Sequence, residues 1–361
     1  MEIYAALLAA CPGLGARSLR ALMEHFGGAR QAWEAGADEL RNARILTPKR
    51  FDKLLLFRRS TGPEAMAQSM KREGMSCVTW QEDGYPSLLL ETANPPAVLF
   101  YQGILPVSDR LISMVGSRKP TAYGIQTAER LAEDLSSAGV IIVSGGARGI
   151  DSAAHRGCLR GKSPTVAVAA CGLDRIYPPE NRNLFHQIQE TGGCMLSEYP
   201  PGTPPLGRQF PARNRIIAGL SRGVLVVEAA RRSGSLITSD FALEEGRDVF
   251  SVPGNIWLAQ SKGTNQLIRN GAVCVTEAAD ILSEYGWNTK EAAKAADKEE
   301  LTLEEELVYR FCCTGDEVSD EDILQQSGLS MVKLKLTLLS LQLKGYIQEA
   351  GPGHFISTGQ G

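Results

Sequence analysis

The stretch Val140-Ile-Ile-Val-Ser-Gly-Gly-Ala-Arg-Gly-Ile-Asp151 decides the fold. Its apolar, β-branched opening reads as a short strand buried on both faces. Three glycines within five residues then lead into a helical pattern. A strand that turns through glycine into a helix is the unit of a parallel sheet, because parallel neighbours need a crossover between them. The same succession recurs at Leu111-Ile-Ser-Met-Val-Gly-Ser-Arg-Lys-Pro-Thr121. Further apolar runs stand at Thr165–Ala170, Met195–Ser197, Val224–Val227, Val249–Val252 and Ala272–Val275, separated by amphipathic segments. With Leu111–Val115 and Val140–Ser144, they predict an α/β fold built on a doubly wound, Rossmann-like parallel sheet. Ligands of such a sheet gather where the strands end in loops.

On either side of this region the pattern changes. Residues 1 to about 72 are helical in pattern, with Leu7, Leu8, Leu19, Leu22, Met23 and Phe26 at apolar positions. Cys11-Pro-Gly-Leu-Gly15 joins two of these helices, either as a phosphate-facing helix-hairpin-helix turn or as a plain αα-hairpin. Beyond the sheet, 287–302 has little to bury and reads as a linker. Three helical segments follow, Leu303–Phe311, Asp320–Ser327 and Met331–Lys344, the last capped by Ser330 and ended by Gly345. Two short strands around Gly351-Pro-Gly353 complete a winged-helix pattern. The expected division is an N-terminal helical domain of helix-hairpin-helix or SAM-like type (1–75), an extended Rossmann-like domain (76–286), the linker, and a C-terminal winged-helix domain (303–361).

The 361 residues are 43% hydrophobic and 22% charged, which excludes collagen-like, disordered and coiled-coil classes for the whole chain. The net charge of −3 looks unfavourable for a nucleic-acid partner, but it is an average. Trp287–Gln325 holds twelve acids against four bases, a balance of −8. The remaining 34 bases and 29 acids give +5. Eight cysteines without CxxC spacing or a histidine at zinc-ligand distance read as reduced thiols of a cytoplasmic protein, with no metal. Glu2 and the short apolar run before Cys11 argue against a signal peptide, and no 18-residue apolar stretch offers a membrane span.

The candidate site residues cluster at the strand ends. Gly116, Ser117, Arg118 and Lys119 open a helix after the Leu111 strand, offering backbone N–H groups, a hydroxyl and two cations to an anion. Ser144, Gly145, Gly146, Ala147 and Gly149 form a second loop, in the register G-G-x-x-G. That register matches neither a dinucleotide fingerprint nor a Walker loop, and a tight βα turn explains it equally well. A long proline-rich passage then runs from Glu198 to Arg215. From Pro201 to Leu236 there are six arginines, no lysine and a single acid, Glu228. Arg208, Arg213, Asn214 and Arg215 suit phosphate, and Phe210 offers a stacking face. The lesser alternative for Arg213 and Arg215 is that they brace the sheet through buried ion pairs. Ser233, Gly234 and Ser235 supply a further anion-friendly loop.

Taken in order, six motifs between about Gly84 and Ala279 resemble the DprA/Smf family of DNA-processing proteins. They are Val115-Gly-Ser-Arg118; Ser144-Gly-Gly-Ala-Arg-Gly-Ile-Asp151 with Ala154-His155; Asp174-Arg-Ile-Tyr-Pro178 with Asn181; Phe210-Pro-Ala-Arg-Asn-Arg-Ile-Ile-Ala218; Ser233-Gly-Ser-Leu-Ile-Thr238; and Gly246-Arg-Asp-Val-Phe-Ser-Val-Pro-Gly254. Cys171 departs from the pattern, since a glycine is expected there, and a basic residue often placed a few positions before the Phe-Pro motif is represented here only by Arg208, whose role is the weaker carry-over. The resemblance implies a single-stranded DNA-binding mediator that protects incoming strands and loads the RecA recombinase during natural transformation. Single-strand-binding protein is a further implied partner, the Rossmann-like domain forms a homodimer, and no catalytic residue, cofactor or membrane is involved. In that reading the glycine loops hold phosphates, Arg118 neutralises them, and Phe210 with the Arg213/Arg215 region completes the pocket.

Two other readings of the residues remain open at this stage. A nucleotide phosphoribohydrolase-like enzyme would use Glu228 and Asp151 as acid and base, although Asp151 also suits the first turn of a helix, and His155 suits a helix-face hydrogen bond. A transcription factor would use the helix Ser330–Lys344, whose face is more apolar than groove reading needs and suits packing or a protein partner.

Overall fold

Leu111–Val115 is buried at all five positions, and the sheet grows from it in both directions. The computed structural model describes residues 2–287, 301–312, 318–344, 346–351 and 353–357. Most of the expected linker (288–300), Cys313, Gly345 and Pro352 lie outside them. Two compact units are present, Met1–Tyr285 and Gly286–Gly361.

In the first unit nine strands make one sheet: β1 (Ser76–Thr79), β2 (Val98–Gly103), β3 (Leu111–Val115), β4 (Ile141–Ser144), β5 (Thr165–Val168), β6 (Cys194–Ser197), β7 (Gly223–Val226), β8 (Asp248–Ser251) and β9 (Val273–Cys274). Their order is β1-β2-β6-β5-β4-β3-β7-β8-β9. Every pair from β6 to β9 is parallel, as the near-continuous apolar strands imply. The chain runs outward from β3 to β6, then returns to lay β7 beside β3 and runs out the other way. Strand order therefore reverses between β3 and β7, which is where a doubly wound sheet opens a crevice at its carboxyl edge.

All seven expected strands are present, with ends shifted by a residue or two. The sequence pattern does not single out β1 and β2, which pair antiparallel with each other and bring β2 antiparallel onto β6. Neither is followed by the glycine loop and helix that mark the parallel strands, and both are held by antiparallel pairing at the sheet's edge.

Both faces of the sheet are covered. On one, Val143, Val166, Leu196 and Val224 pack with Ile216 and Ile217 of the helix Gln209–Gly219. On the other, Ala167 and Met195 meet Phe185 and Ile188 of the helix Arg182–Glu190. The same core continues through Phe100 and Val98 into Leu7, Leu8, Leu22 and Leu54 of the N-terminal helices, so the helical front end and the sheet edge bury one another. Cys11–Gly15 does connect two helices, Ile3–Ala10 and Ala16–Phe26, and the Leu14 amide closes the turn on the Cys11 carbonyl at 3.1 Å. Burial pushes the thiols of Cys77 and Cys194 up to about 12, so both stay protonated and serve as packing.

The second unit holds helices Leu303–Cys312, Asp320–Ser327 and Met331–Leu343 with three antiparallel strands, β10 (Val318–Ser319), β11 (Ile347–Gly351) and β12 (His354–Ser357), in the order β10-β12-β11. Ser330 caps the last helix by accepting from the Lys333 amide. That helix sends Leu334, Leu338 and Leu341 into the core, while Val332, Leu336 and Leu339 are more than half exposed. Among its described apolar side chains three are therefore packing, and four, Met331 included, are exposed. Burial pushes the Glu305 carboxyl up, but the Ser340 hydroxyl, the Thr302 amide and Lys344 outweigh it and hold it at about 2. A carboxyl depressed on folding adds stability above its ordinary titration range that is lost as pH falls toward about 2. Glu305→Gln should therefore flatten the loss of stability of this unit between about pH 5 and pH 2, measured by denaturant unfolding at successive pH values. A variant profile parallel to that of the wild type would show that Glu305 is not the group responsible.

Candidate nucleic-acid interface

The loops that follow β3, β4 and β7 meet at the strand reversal and enclose a cleft of about 390 Å³. Gly116, Ser117, Arg118, Lys119, Ala147, Asn214, Ser233, Gly234 and Ser235 line it, and the sequence pattern singles out all nine. Thr238 stands among the lining residues as well, with a buried hydroxyl that has no hydrogen-bond partner among the described residues. A donor and acceptor buried without a partner is costly, and a polar ligand seated in the cleft would satisfy it.

Close packing of backbone explains the glycines. At Gly149, φ is +82°, and a Cβ there would stand 2.3 Å from the Ser117 carbonyl oxygen. A Cβ on Gly116 would meet the Glu228 carbonyl oxygen at 2.9 Å and Ile150 closer still. The Ile150 amide donates to the Ser117 carbonyl at 3.1 Å, which ties the β4 loop to the β3 loop. The two loops form one surface, from which the exposed side chains of Arg118 and Lys119 project.

Beside the cleft the Arg118 guanidinium lies over the Phe210 ring, 5.5 Å from its centroid. Phe210 in turn packs on Tyr177 at 5.4 Å between centroids. The Arg118 cation over the Phe210 ring and the Tyr177 ring tilted against it at 56° thus form a continuous row. Such a surface accepts a phosphate and a base together without reading the identity of the base.

Several of the expected contact residues are engaged within the protein. Arg213 is 3% exposed and lies beneath the β4 loop, outside the cleft lining. Its guanidinium donates to the Gly145 carbonyl at 2.8 Å, to the Val168 carbonyl and to the Asn214 side chain. Arg215 pairs with Glu198 at 2.5 Å and donates to the Asn94 carbonyl at 2.9 Å. Neither lines the cleft; both brace the sheet edge, because the helix Gln209–Gly219 turns these positions toward carbonyl oxygens that need donors. The Ser144 hydroxyl is likewise engaged, donating to the Met114 carbonyl at 2.6 Å. Gly145 and Gly146 shape the loop from within: a Cβ on the first would collide with Arg213 and Asp151, and on the second with Phe185. Arg208 is exposed at the N-cap of the helix that carries Phe210.

The two carboxylates weighed as an acid–base pair are also accounted for. Asp151 sits in the first turn of the helix Ile150–Arg160 and accepts from the Ala147 amide at 3.3 Å. Burial raises its pKa, opposed first by Arg213. Glu228 is 4% exposed and accepts from the Thr121 amide at 3.2 Å and the Thr121 hydroxyl at 2.5 Å. Thr121 caps the helix after β3, so Glu228 fixes the end of the Arg118 loop from 107 residues away. His155 is buried, with Nδ1 2.8 Å from the Thr165 hydroxyl. That hydroxyl donates to the Ile142 carbonyl, so Nδ1–H is the donor. Burial, with Arg156 and Arg213 nearby, lowers His155 to about 3 and keeps it neutral. Among the described residues no group of three metal-ligating side chains is gathered.

Glu228→Ala should reduce unfolding free energy by about 2–3 kcal/mol, the cost of leaving two buried donors without their charged acceptor. Glu228→Gln should recover part of that. Equal stability of all three proteins in denaturant titrations would remove Glu228 from its structural role.

Residues 76–286 match the family model described as DNA recombination-mediator protein A. Protein Smf of Synechocystis sp. is 40% identical over 279 residues, covering 76% of this chain and 70% of that protein. DNA processing protein DprA of Streptococcus pneumoniae is 46% identical over 205 residues, covering 56% of this chain and 72% of that one. The solved structure of the Streptococcus pneumoniae protein superposes with a TM-score of 0.68 at 36% identity, over 78% of this chain and 96% of that one. DNA processing protein A from Helicobacter pylori, a protein with a single-stranded DNA binding mode, superposes with a TM-score of 0.52 at 29% identity, over 58% of this chain and 95% of that one.

Proposed function

The chain belongs to the family of DNA recombination-mediator protein A, the DprA/Smf proteins, and from that premise we propose that its cleft binds single-stranded DNA for delivery to a recombinase. One observation carries the reading: Arg118 stacked on Phe210 beside a glycine-walled cleft. Backbone amides and Arg118 take the phosphates, Phe210 and Tyr177 take bases, and the Thr238 hydroxyl waits at the cleft wall. Arg208, Arg231 and Arg232, all exposed, add positive charge to the same proline-rich and serine loops. Nothing in this set reads base edges, so sequence preference is slight.

In this reading the bound strand is protected and passed to RecA during natural transformation, with single-strand-binding protein as the competitor to be displaced. The protein works in the cytoplasm as a homodimer through its Rossmann-like part, 76–286. The region from 303 is a separate winged-helix-type domain behind a linker at 287–302. No chemical step or cofactor is involved. Full engagement of Glu228 by Thr121 supports that last point; Asp151 borders the cleft but is buried and held by the Ala147 amide in the first turn of its helix.

An electrophoretic comparison of single-stranded with duplex DNA at two salt concentrations tests the reading. Single strands should be preferred. If about four phosphates are held, affinity should fall about fiftyfold between about 50 and 200 mM salt. Equal binding of duplex, or affinity indifferent to salt, would overturn it.

A further inference from the structure

A second hollow, of about 360 Å³, opens on the far side of Tyr177. Tyr177 belongs to both neighbourhoods, because its ring packs on Phe210, which carries Arg118, and also walls this hollow. The floor is apolar, formed by Leu173, Phe185 and Met195. Arg175, Arg182 and His186 also line it, and all three are exposed.

The charges of this hollow do not cancel. Its two acids are each matched by their own arginine: Arg72 Nε is 3.0 Å from Glu73 Oε1, and Arg175 Nε is 3.8 Å from Asp174 Oδ2. Asp174 also accepts from the Gly202 amide at 2.9 Å. Arg182 and His186 have no hydrogen-bond or ion-pair partner among the described residues. An apolar floor, an aromatic edge and an uncompensated guanidinium together suit a base or sugar with a phosphate attached. The volume lies within the usual range of small-ligand sites, about 300–1,000 Å³.

We propose that the single strand held by the cleft continues across Tyr177 and seats a further nucleotide in this second hollow, with a phosphate on Arg182. The proposal rests on the reading of the cleft as a single-strand site. Tyr177 is then the bridge of one extended track, and the footprint on the protein is longer than the cleft alone.

The test compares oligothymidylates of about 4 and about 12 nucleotides on the full chain, lengths that bracket compact single-strand sites. The proteins are wild type, Arg182→Gln, Arg182→Gln with His186→Gln, and Arg118→Ala. Because Arg182 is exposed and unbonded, Arg182→Gln should fold normally, with an unchanged thermal midpoint as the control. It should bind the short strand like wild type and the long strand about three- to tenfold more weakly, with the salt dependence of the long strand flattened by about 0.7 in log–log slope. The double variant should lose at least as much. Wild-type affinity of Arg182→Gln for the long strand, or an equal loss at both lengths, would overturn the proposal. If Arg118→Ala weakens both lengths while Arg182→Gln weakens neither, the cleft stands and the second hollow falls. If Arg118→Ala changes nothing, the cleft reading falls first. Binding of free thymidine monophosphate that Arg182→Gln abolishes, with long-strand affinity untouched, would assign the hollow to a free nucleotide and overturn the continuous track.

Discussion

Arg118→Ala should bind short single strands about ten- to hundredfold more weakly than the wild type at low salt, a loss of about 1.4–2.7 kcal/mol. Two effects add. The variant removes a cation from the cleft, and it also removes the cover over Phe210, whose ring then holds a base without a partner above it. The log–log salt slope should flatten by about 0.7, the share of one phosphate contact on a single strand. Arg118→Lys separates the two effects, because lysine restores the charge but not the flat guanidinium that stacks on the ring. It should recover the salt slope and only part of the affinity. Titrations of a labelled oligonucleotide at several salt concentrations measure both quantities. Unchanged affinity in the alanine variant would remove the cleft from strand binding, whatever the rest of the protein does.

What the sequence makes legible here is local. Four β-branched or apolar residues followed by a glycine loop, as at Val140–Asp151, encode strand, turn and helix within twelve residues, and the structure has all three in place. The loop residues that line the cleft were legible for the same reason, since strand ends in a parallel sheet converge wherever the strands lie. Partners distant in sequence were not. Glu228 looks like a solitary acid in an arginine-rich stretch and is in fact the anchor of Thr121, 107 residues earlier. Tyr177 carries no signal of its own that it packs against Phe210. Arginine composition was misleading in one respect: Arg213, Arg215 and Arg222 are tied to Gly145, Glu198 and Asp109, so half of the six do not face a ligand. Composition counts cations, and only packing separates those that hold the loops from those the loops present.

That distinction has a measurable consequence at Arg213. Arg213→Met should lower unfolding free energy by about 3–5 kcal/mol, although methionine fills much of the same space. Burial lowers the guanidinium to about 10, with Asp151 opposing, so it remains charged at neutral pH. Its removal strands the Gly145 and Val168 carbonyls without their donor. It also leaves Asp151 buried without the cation that most offsets its desolvation. Because Asp151 and Arg213 both press against the position where Gly145 has no side chain, the β4 loop should lose its shape along with its support. Strand affinity should therefore fall as a result of lost stability and loop order. Arg213→Lys keeps a charge but not the fork that reaches two carbonyls, and should land between the two. Denaturant unfolding and strand titration on the same samples decide the matter. A methionine variant as stable as wild type, yet as deficient in strand binding as Arg118→Ala, would mean that Arg213 reaches the strand itself and that the brace assigned to it is wrong.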